Sequence, residues 1–332
     1  MIHRYRAYGF DLQSRSEIPG LTPQPGSCDS AALPIEVTVG ACPEWACEAL
    51  RMPVTLRYSG NKRFDNLPRF RVEQLGAEEF FRLCYADGTQ VVADGQTKRI
   101  WGACPPPLTP EDLSTYLLGP VMGFVLRRRG ILALHASSFC VDGCAFALCG
   151  GARVGKSTTA AALAMRGISI LCEDITAVRE RESKFQVAPG YPRVNLWPDS
   201  VAQLFGSSAK LPKITPNWEK QFLDLEGNTA KFETQDRPVA GIYIMEPRSE
   251  APETPRIEEI STQRATIRLV QNTYMNYLLD REQRAREFDA IARLVSGVSV
   301  KLLKPSKHAA RINDMCEMLE TDARSTCLRE SR

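Results

Sequence analysis

The chain has 332 residues, 43% of them hydrophobic, and 42 Lys and Arg against 39 Asp and Glu give a formal net charge of +3. That length suits two domains or one with a large extension, and the apolar share suits a globular protein with a sizeable core. A charge so near balance supplies no global field for nucleic acid or a membrane surface, and no apolar run approaches the roughly 18 residues of a membrane-spanning helix. The opening MIHRYRAYGF lacks the apolar centre of a signal peptide, so a cytoplasmic location is expected. There are 11 cysteines, an odd count with no C-x-x-C, and several fall inside expected strands. They read as small reduced thiols rather than disulfides or a metal site, and Cys42 and Cys47 stand too far from any His for zinc.

Residues 2–18 alternate enough for a first strand, and 19–34, rich in Pro, Gly and Ser, read as a loop. Ile35 to Val39 alternates strictly and predicts a strand, followed by strands near 54–58, 69–74, 79–85, 89–93 and 98–101. Asp87-Gly88 is a hairpin signal between two of them. Residues 1–105 are therefore expected to form a β-rich N-terminal domain, serving either packing or substrate docking. After the proline run 105–107, Thr109 is a candidate N-cap with Pro110 at the first helical position and Asp112 three residues on. That helix runs through Leu118 and resumes after Gly119-Pro120, from Val121 to Arg127.

Ile131 to Val141 predicts a strand, Asp142-Gly143 a two-residue turn, and Cys144 to Cys149 the returning strand. Each step back along one strand is a step forward along the other, so His135 should lie opposite Gly150. From Gly150 the chain reads Gly150, Gly151, Ala152, Arg153, Val154, Gly155, Lys156, Ser157, Thr158, which matches the phosphate-binding pattern G-x-x-x-x-G-K-[ST]. Glycines allow a tight turn that exposes backbone N–H groups to an anion, and the following helix aims its unpaired N–H groups and positive dipole end at the same point. Lys156 would reach the β- and γ-phosphates of ATP, and Ser157 would ligate Mg²⁺.

Ile168 to Cys172 predicts a short strand that ends in the acids Glu173 and Asp174. Beside a phosphate loop, one acid could hold Mg²⁺ and the other accept a proton from an attacking hydroxyl. Neighbours in a strand point to opposite faces, so both would serve one phosphate only if the strand ends or bulges between them. Thr176–Arg179 and Phe185–Ala188 form an expected hairpin, Pro189 to Arg193 a rigid loop, and Asp199 starts a short helix to Phe205. Residues 206–220 read as a polar loop near the site or a plain linker. Val239–Met245 is a strong strand, 247–256 a loop, 262–279 and 281–296 helices, 298–303 a strand, and 308–321 a last helix.

With these residues in hand, the chain resembles the HPr kinase/phosphorylase family, and within it the HPr-kinase-like proteins encoded beside lasso-peptide biosynthesis genes. The resemblance rests on Leu134-His135-Ala136-Ser137, the loop Gly150 to Ser157, Arg166-Gly167, and the pair Glu173-Asp174. The run Gly190 to Asp199, the strand after Arg237-Pro238, the opening Tyr5 to Gly9 and Tyr116 to Pro120 also look typical of that branch. It implies an α/β (mixed-sheet) P-loop kinase core of the HPr kinase/PEP-carboxykinase type over 106–332. It also implies a serine kinase using ATP and Mg²⁺, whose partner is a precursor peptide or protein with an acceptor serine. Homo-oligomer formation is compatible with it. By position, Lys156 and Ser157 would bind phosphate and metal, Glu173 and Asp174 would supply the base and support the metal, and His135 would orient or tune an acid. Arg193 and Arg237 would be candidates to neutralise the transferred phosphate. The family has two aspartates where this chain has Glu173-Asp174, a change that moves one carboxylate by about a bond length, and shifts on the order of an ångström cost about 10²-fold.

A nucleotide-dependent peptide-binding protein or ATPase, and a kinase of a small acceptor, compete with this reading. No N-K-x-D or L-S-G-G-Q segment supports a GTPase or an ABC-type ATPase.

Overall fold

The computed structural model describes residues 1–24, 34–64, 67–182, 184–227 and 230–330. Most of the loop expected at 19–34, and Cys28 with it, lies outside the described residues. The ten described cysteines are all free thiols. No helix among the described residues is long and apolar enough to cross a membrane. The architecture is mixed α/β, in two compact units: Met1–Arg129 with Thr215–Trp218, and Gly130–Ile214 with Glu219–Arg332.

The first unit is an eight-stranded mixed sheet. Its strand order is His3–Ala7, Phe10–Ser14, Ile35–Val39, Arg99–Ala103, Gln90–Asp94, Phe80–Tyr85, Phe70–Leu75, Val54–Ser59. The single strand expected over 2–18 is two, because the chain reverses at Tyr8-Gly9, both at positive φ. The Asp87-Gly88 turn forms as expected, with Asp87 Oδ1 accepting the Thr89 N–H at 2.9 Å and Gly88 at φ 89°. A helix at Glu44–Ala49, too short for periodicity to reveal, buries Ala46 and Ala49 on the sheet.

The division between units falls after Arg129, not after residue 105. The helices Pro110–Tyr116 and Met122–Arg128 belong to the first unit because their apolar faces close on its sheet. Leu113 packs over Gly102, Phe124 lies 5.4 Å from Phe81 between ring centroids, and the Tyr8 hydroxyl donates to Leu118 O at 3.0 Å. Pro120 and the non-helical Gly119 kink the connection. The expected cap is present: the Thr109 N–H donates to Asp112 Oδ2 at 2.8 Å, and Thr109 closes a capping box.

The second unit is three-layered. Its central strands run Cys144–Cys149, Leu132–Val141, Ile175–Arg181, Lys184–Ala188, Arg237–Met245, Ser299–Lys304, Arg256–Glu259. Cys144–Cys149 also pairs in parallel with Arg237–Met245. One face buries Phe139, Phe146 and Leu148 beneath the helices Lys156–Met165 and Ile312–Glu330. The other buries Leu134, Ala147 and Ile242 beneath Thr262–Gln271 and Arg281–Gly297. The helix expected over 262–279 stops at Gln271. There the backbone leaves the helix to bond the His135 strand: the His135 N–H donates to Asn272 O and the Tyr274 N–H to Ala133 O, each at 2.8 Å. The last helix is longer than expected, Ile312–Glu330, and the unassigned stretch after the loop expected at 247–256 forms an edge strand, Arg256–Glu259.

The capping network of the first unit gives a test. Asp112 is 5% exposed. Burial alone would raise its pKa, but bonds from the Thr109 backbone and from the Asn217 and Thr215 side chains outweigh it and hold the carboxyl below its ordinary 3.8. A depressed folded-state pKa stabilises above the unfolded value and is lost as pH falls through the folded one. Asp112→Ala should cost about 1–2 kcal/mol at neutral pH, and in urea unfolding the gap from wild type should narrow on acidification below about pH 4. A gap that widens in acid would contradict the assignment.

Candidate functional site

The hairpin register sets the site. Val141 pairs with Cys144 and Ala136 with Cys149 without interruption. One step on, the Gly150 N–H points to His135 O at 3.4 Å, the juxtaposition expected from the turn. The loop then rises from Cys149 and enters the helix Lys156–Met165. Arg153 (φ 64°) and Gly155 (φ 110°) make the left-handed steps of the turn, and Gly155 occupies the cap position with no side chain bonded to the helix end. The first N–H groups are thus left for an anion. A Cβ on Gly150 would lie 2.8 Å from Met245 O and 3.1 Å from Val154, so only glycine fits against the neighbouring strand.

Lys156 is buried, and its Nζ donates to Gly150 O and Gly151 O at 2.9 Å each. Burial draws its pKa below the ordinary value, against the opposing charges of Asp174, Cys149 and Glu173. His135 Nε2 lies 3.2 Å from Lys156 Nζ and 3.2 Å from Asp174 Oδ1. One ring nitrogen serves one of these at a time: bare, it accepts from the ammonium; protonated, it donates to the carboxylate.

The two acids are separated by a backbone reversal. The Ser169–Cys172 strand ends, Asp174 takes φ 68°, and the Ile175 N–H donates back to Glu173 O at 2.8 Å. An i→i+2 bond around a positive-φ residue is a γ-turn, strained by roughly 1–3 kcal/mol. Glu173 is 4% exposed, and its carboxylate accepts from Ser157 Oγ at 2.7 Å and from Asn195 Nδ2 at 3.1 Å. Burial and the neighbouring Asp174 charge raise its pKa. The Asp174 side chain is 43% exposed. Burial opposes its ionisation, but the hydrogen bond and charge of His135, with Lys220 and Lys156, bring its pKa below the ordinary value.

A two-stranded ribbon that the sequence reading missed completes the wall. Arg193–Leu196 pairs antiparallel with Gln221–Asp224. Val194 and Leu196 on one face are buried in the core, so Arg193, Asn195 and Trp197 share the other. Asn195 also donates to the Tyr191 hydroxyl at 3.0 Å. Arg193 stacks over Phe222 at 4.0 Å from its centroid. Trp197, 44% exposed, has Arg153 at 5.8 Å and Lys220 at 5.3 Å from its ring. Ser200 in the next helix meets Thr158 at 2.8 Å between hydroxyls. Alternating polar and apolar residues from Arg193 to Leu196 were the available signal for this strand.

Among the expected site residues, His135, Gly150 to Thr158, Glu173 and Asp174 converge on the loop, whereas Arg193 lies on the ribbon stacked on Phe222, with Tyr191, Asp224 and Glu226 as its charge neighbours. Arg237 does not converge on the loop either. It begins a strand whose far end, Met245, meets the loop, which puts it roughly 25 Å away, ion-paired to Glu233 at 3.0 Å. As a fit for Mg²⁺, the Ser157–Glu173 pair supplies two hard oxygens. No group of three or more His, Cys, Asp or Glu among the described residues could hold a metal, and Mg²⁺ on a nucleotide needs only one or two protein oxygens beside phosphate and water.

No protein-family model matches the chain, and no curated protein matches it. Among solved structures, the chain is similar to the HPr(Ser) kinase/phosphatase from Coxiella burnetii, at 16% identity over 60% of this chain and 92% of that one, with a TM-score of 0.31. A superposition that loose defines neither a family nor an activity.

The loop's packing predicts the outcome of Gly150→Ala. The added methyl must push Met245 or the loop aside, costing about 1–3 kcal/mol, and should lower the thermal midpoint and weaken anion binding together. An unchanged midpoint would show that the loop does not sit against that strand as described.

Proposed function

We propose that this protein is an ATP- and Mg²⁺-dependent serine kinase that phosphorylates a hydroxyl of a peptide or protein. The single observation that carries this reading is the convergence of three features on one glycine loop: a buried ammonium, a hydroxyl–carboxylate pair and a second carboxylate open to solvent. The loop N–H groups and Lys156 grip the triphosphate. Ser157 and Glu173 would hold Mg²⁺, which when bound supplies charge neutralisation between phosphate oxygens. Asp174, exposed and kept ionised by His135, takes the proton of the acceptor hydroxyl.

In the transfer itself the acceptor oxygen bonds to the γ-phosphorus. The bond from that phosphorus to the bridging oxygen breaks, and its electron pair leaves with ADP. The hydroxyl proton ends on Asp174. The glutamate at position 173 fits this division of labour. Its carboxylate already reaches Ser157 from a buried position, so the extra methylene lengthens the metal-side acid and not the base. On the resemblance to the lasso-associated kinases, the acceptor is the C-terminal serine of a lasso-peptide precursor.

The test is labelled γ-phosphate with a serine-terminated peptide. Label should appear on the peptide, and Lys156→Ala should lower the rate by about 10²–10³. Asp174→Asn should lower it by about 10²–10⁴ with nucleotide affinity kept. Label released only as free phosphate would point to an ATPase, and unchanged rates in both variants would remove the loop and the acid from the chemistry.

A further inference from the structure

Lys220 stands one residue before the Gln221–Asp224 strand. Among the described residues it makes no ion pair within 4.0 Å, although Glu173 and Asp174 both feel its charge. Its place is fixed by the ribbon. Leu196 pairs with Gln221, so one step beyond, Trp197 and Lys220 stand opposite each other, and the ammonium rests 5.3 Å from the indole centroid. The Trp197 ring also carries Arg153, from the loop itself, at 5.8 Å. The ribbon is docked on the site by Asn195, two residues from Trp197 on the same face, through its bond to Glu173. Two cations thus meet one indole ring beside an anion-binding loop, and an anion bound at that edge of the loop would be attracted by both.

We propose that Lys220 and Arg153, held on Trp197, form the subsite for the terminal phosphate of the nucleotide, with Lys220 as the cation that follows the phosphoryl group during transfer. This rests on the kinase reading above. It replaces Arg237, which is anchored elsewhere, as the neutralising charge, and it makes Trp197 a positioning residue that acts through Lys220. The bonds made and broken are those of the transfer described above; Lys220 changes neither its protonation nor its covalent state. A cation so placed discriminates ATP from ADP, because only ATP carries the phosphate it meets.

The experiment is calorimetric titration of the full chain with MgATP and with MgADP. Lys220→Met should weaken MgATP about tenfold, the worth of one charge-assisted bond, and leave MgADP nearly unchanged. Lys220→Arg should restore most of the difference, and Trp197→Ala should weaken MgATP selectively, with Trp197→Phe, which keeps an aromatic face, recovering part of that loss. Equal weakening of both nucleotides by Trp197→Ala would mark base stacking and overturn the proposal, as would an unchanged ATP-to-ADP ratio in Lys220→Met. If that ratio is unchanged while Lys156→Ala still abolishes binding, only the Lys220 subsite falls. If the wild-type chain binds neither nucleotide, the kinase reading falls with it.

Discussion

Neighbouring residues in a strand face opposite ways, and the site depends on how the chain escapes that rule at Glu173 and Asp174. A single γ-turn does it: Asp174 at φ 68°, with Ile175 bonded back to Glu173. One acid is thereby turned inward to Ser157 and Asn195, and the other outward to His135 and solvent. The strain is modest, and the surroundings hold it. The Ala136 N–H bonds Asp174 O at 3.2 Å, and pairing of His135 with Ile175 resumes the sheet at the next residue. Two carboxylates that differ by one position thus acquire opposite environments, one dry and raised in pKa, the other open and lowered. Pushing the proton affinities of paired acids apart is how one site supports two roles.

The same hairpin that supports the loop supplies the histidine. Because Leu132–Val141 pairs along its length with three strands, His135 is pinned between the glycine loop on one side and the acids on the other. Its ring nitrogen bridges the two halves of the site. One nitrogen within reach of both thus connects the ammonium side of the site to the outward carboxylate. Everything in this arrangement comes from the second unit, and the alanine-rich helix Lys156–Met165 packs against the sheet directly behind the loop.

Much of this was legible in the sequence, and for identifiable reasons. A two-residue turn makes register arithmetic reliable, so His135 was found opposite Gly150. The phosphate loop carries its own backbone chemistry in its glycines, and the capping box at Thr109 is a purely local pattern. What was missed depended on distant partners. The helix after Thr262 ends early because His135 and Ala133 claim the backbone that follows it. Helices placed by sequence order with the second domain joined the first because Leu113 and Phe124 close on its sheet. Arg237 looked like a site residue beside a strong strand, but strand direction put it at the wrong end. The Arg193–Leu196 strand follows directly on what read as the rigid loop Pro189–Arg193, and its partner Gln221–Asp224 lies beyond the polar stretch 206–220.

The central claim is that the loop holds a triphosphate with its terminal phosphate between Lys156 and the outward acid. A crystal structure of the protein with a non-hydrolysable ATP analogue and Mg²⁺ measures this directly. The account predicts the γ-phosphate within hydrogen-bond reach of Lys156 Nζ, with the Asp174 carboxylate facing the side from which an acceptor hydroxyl would approach. Nucleotide bound elsewhere, or bound at the loop with Asp174 turned away from its terminal phosphate, would contradict it.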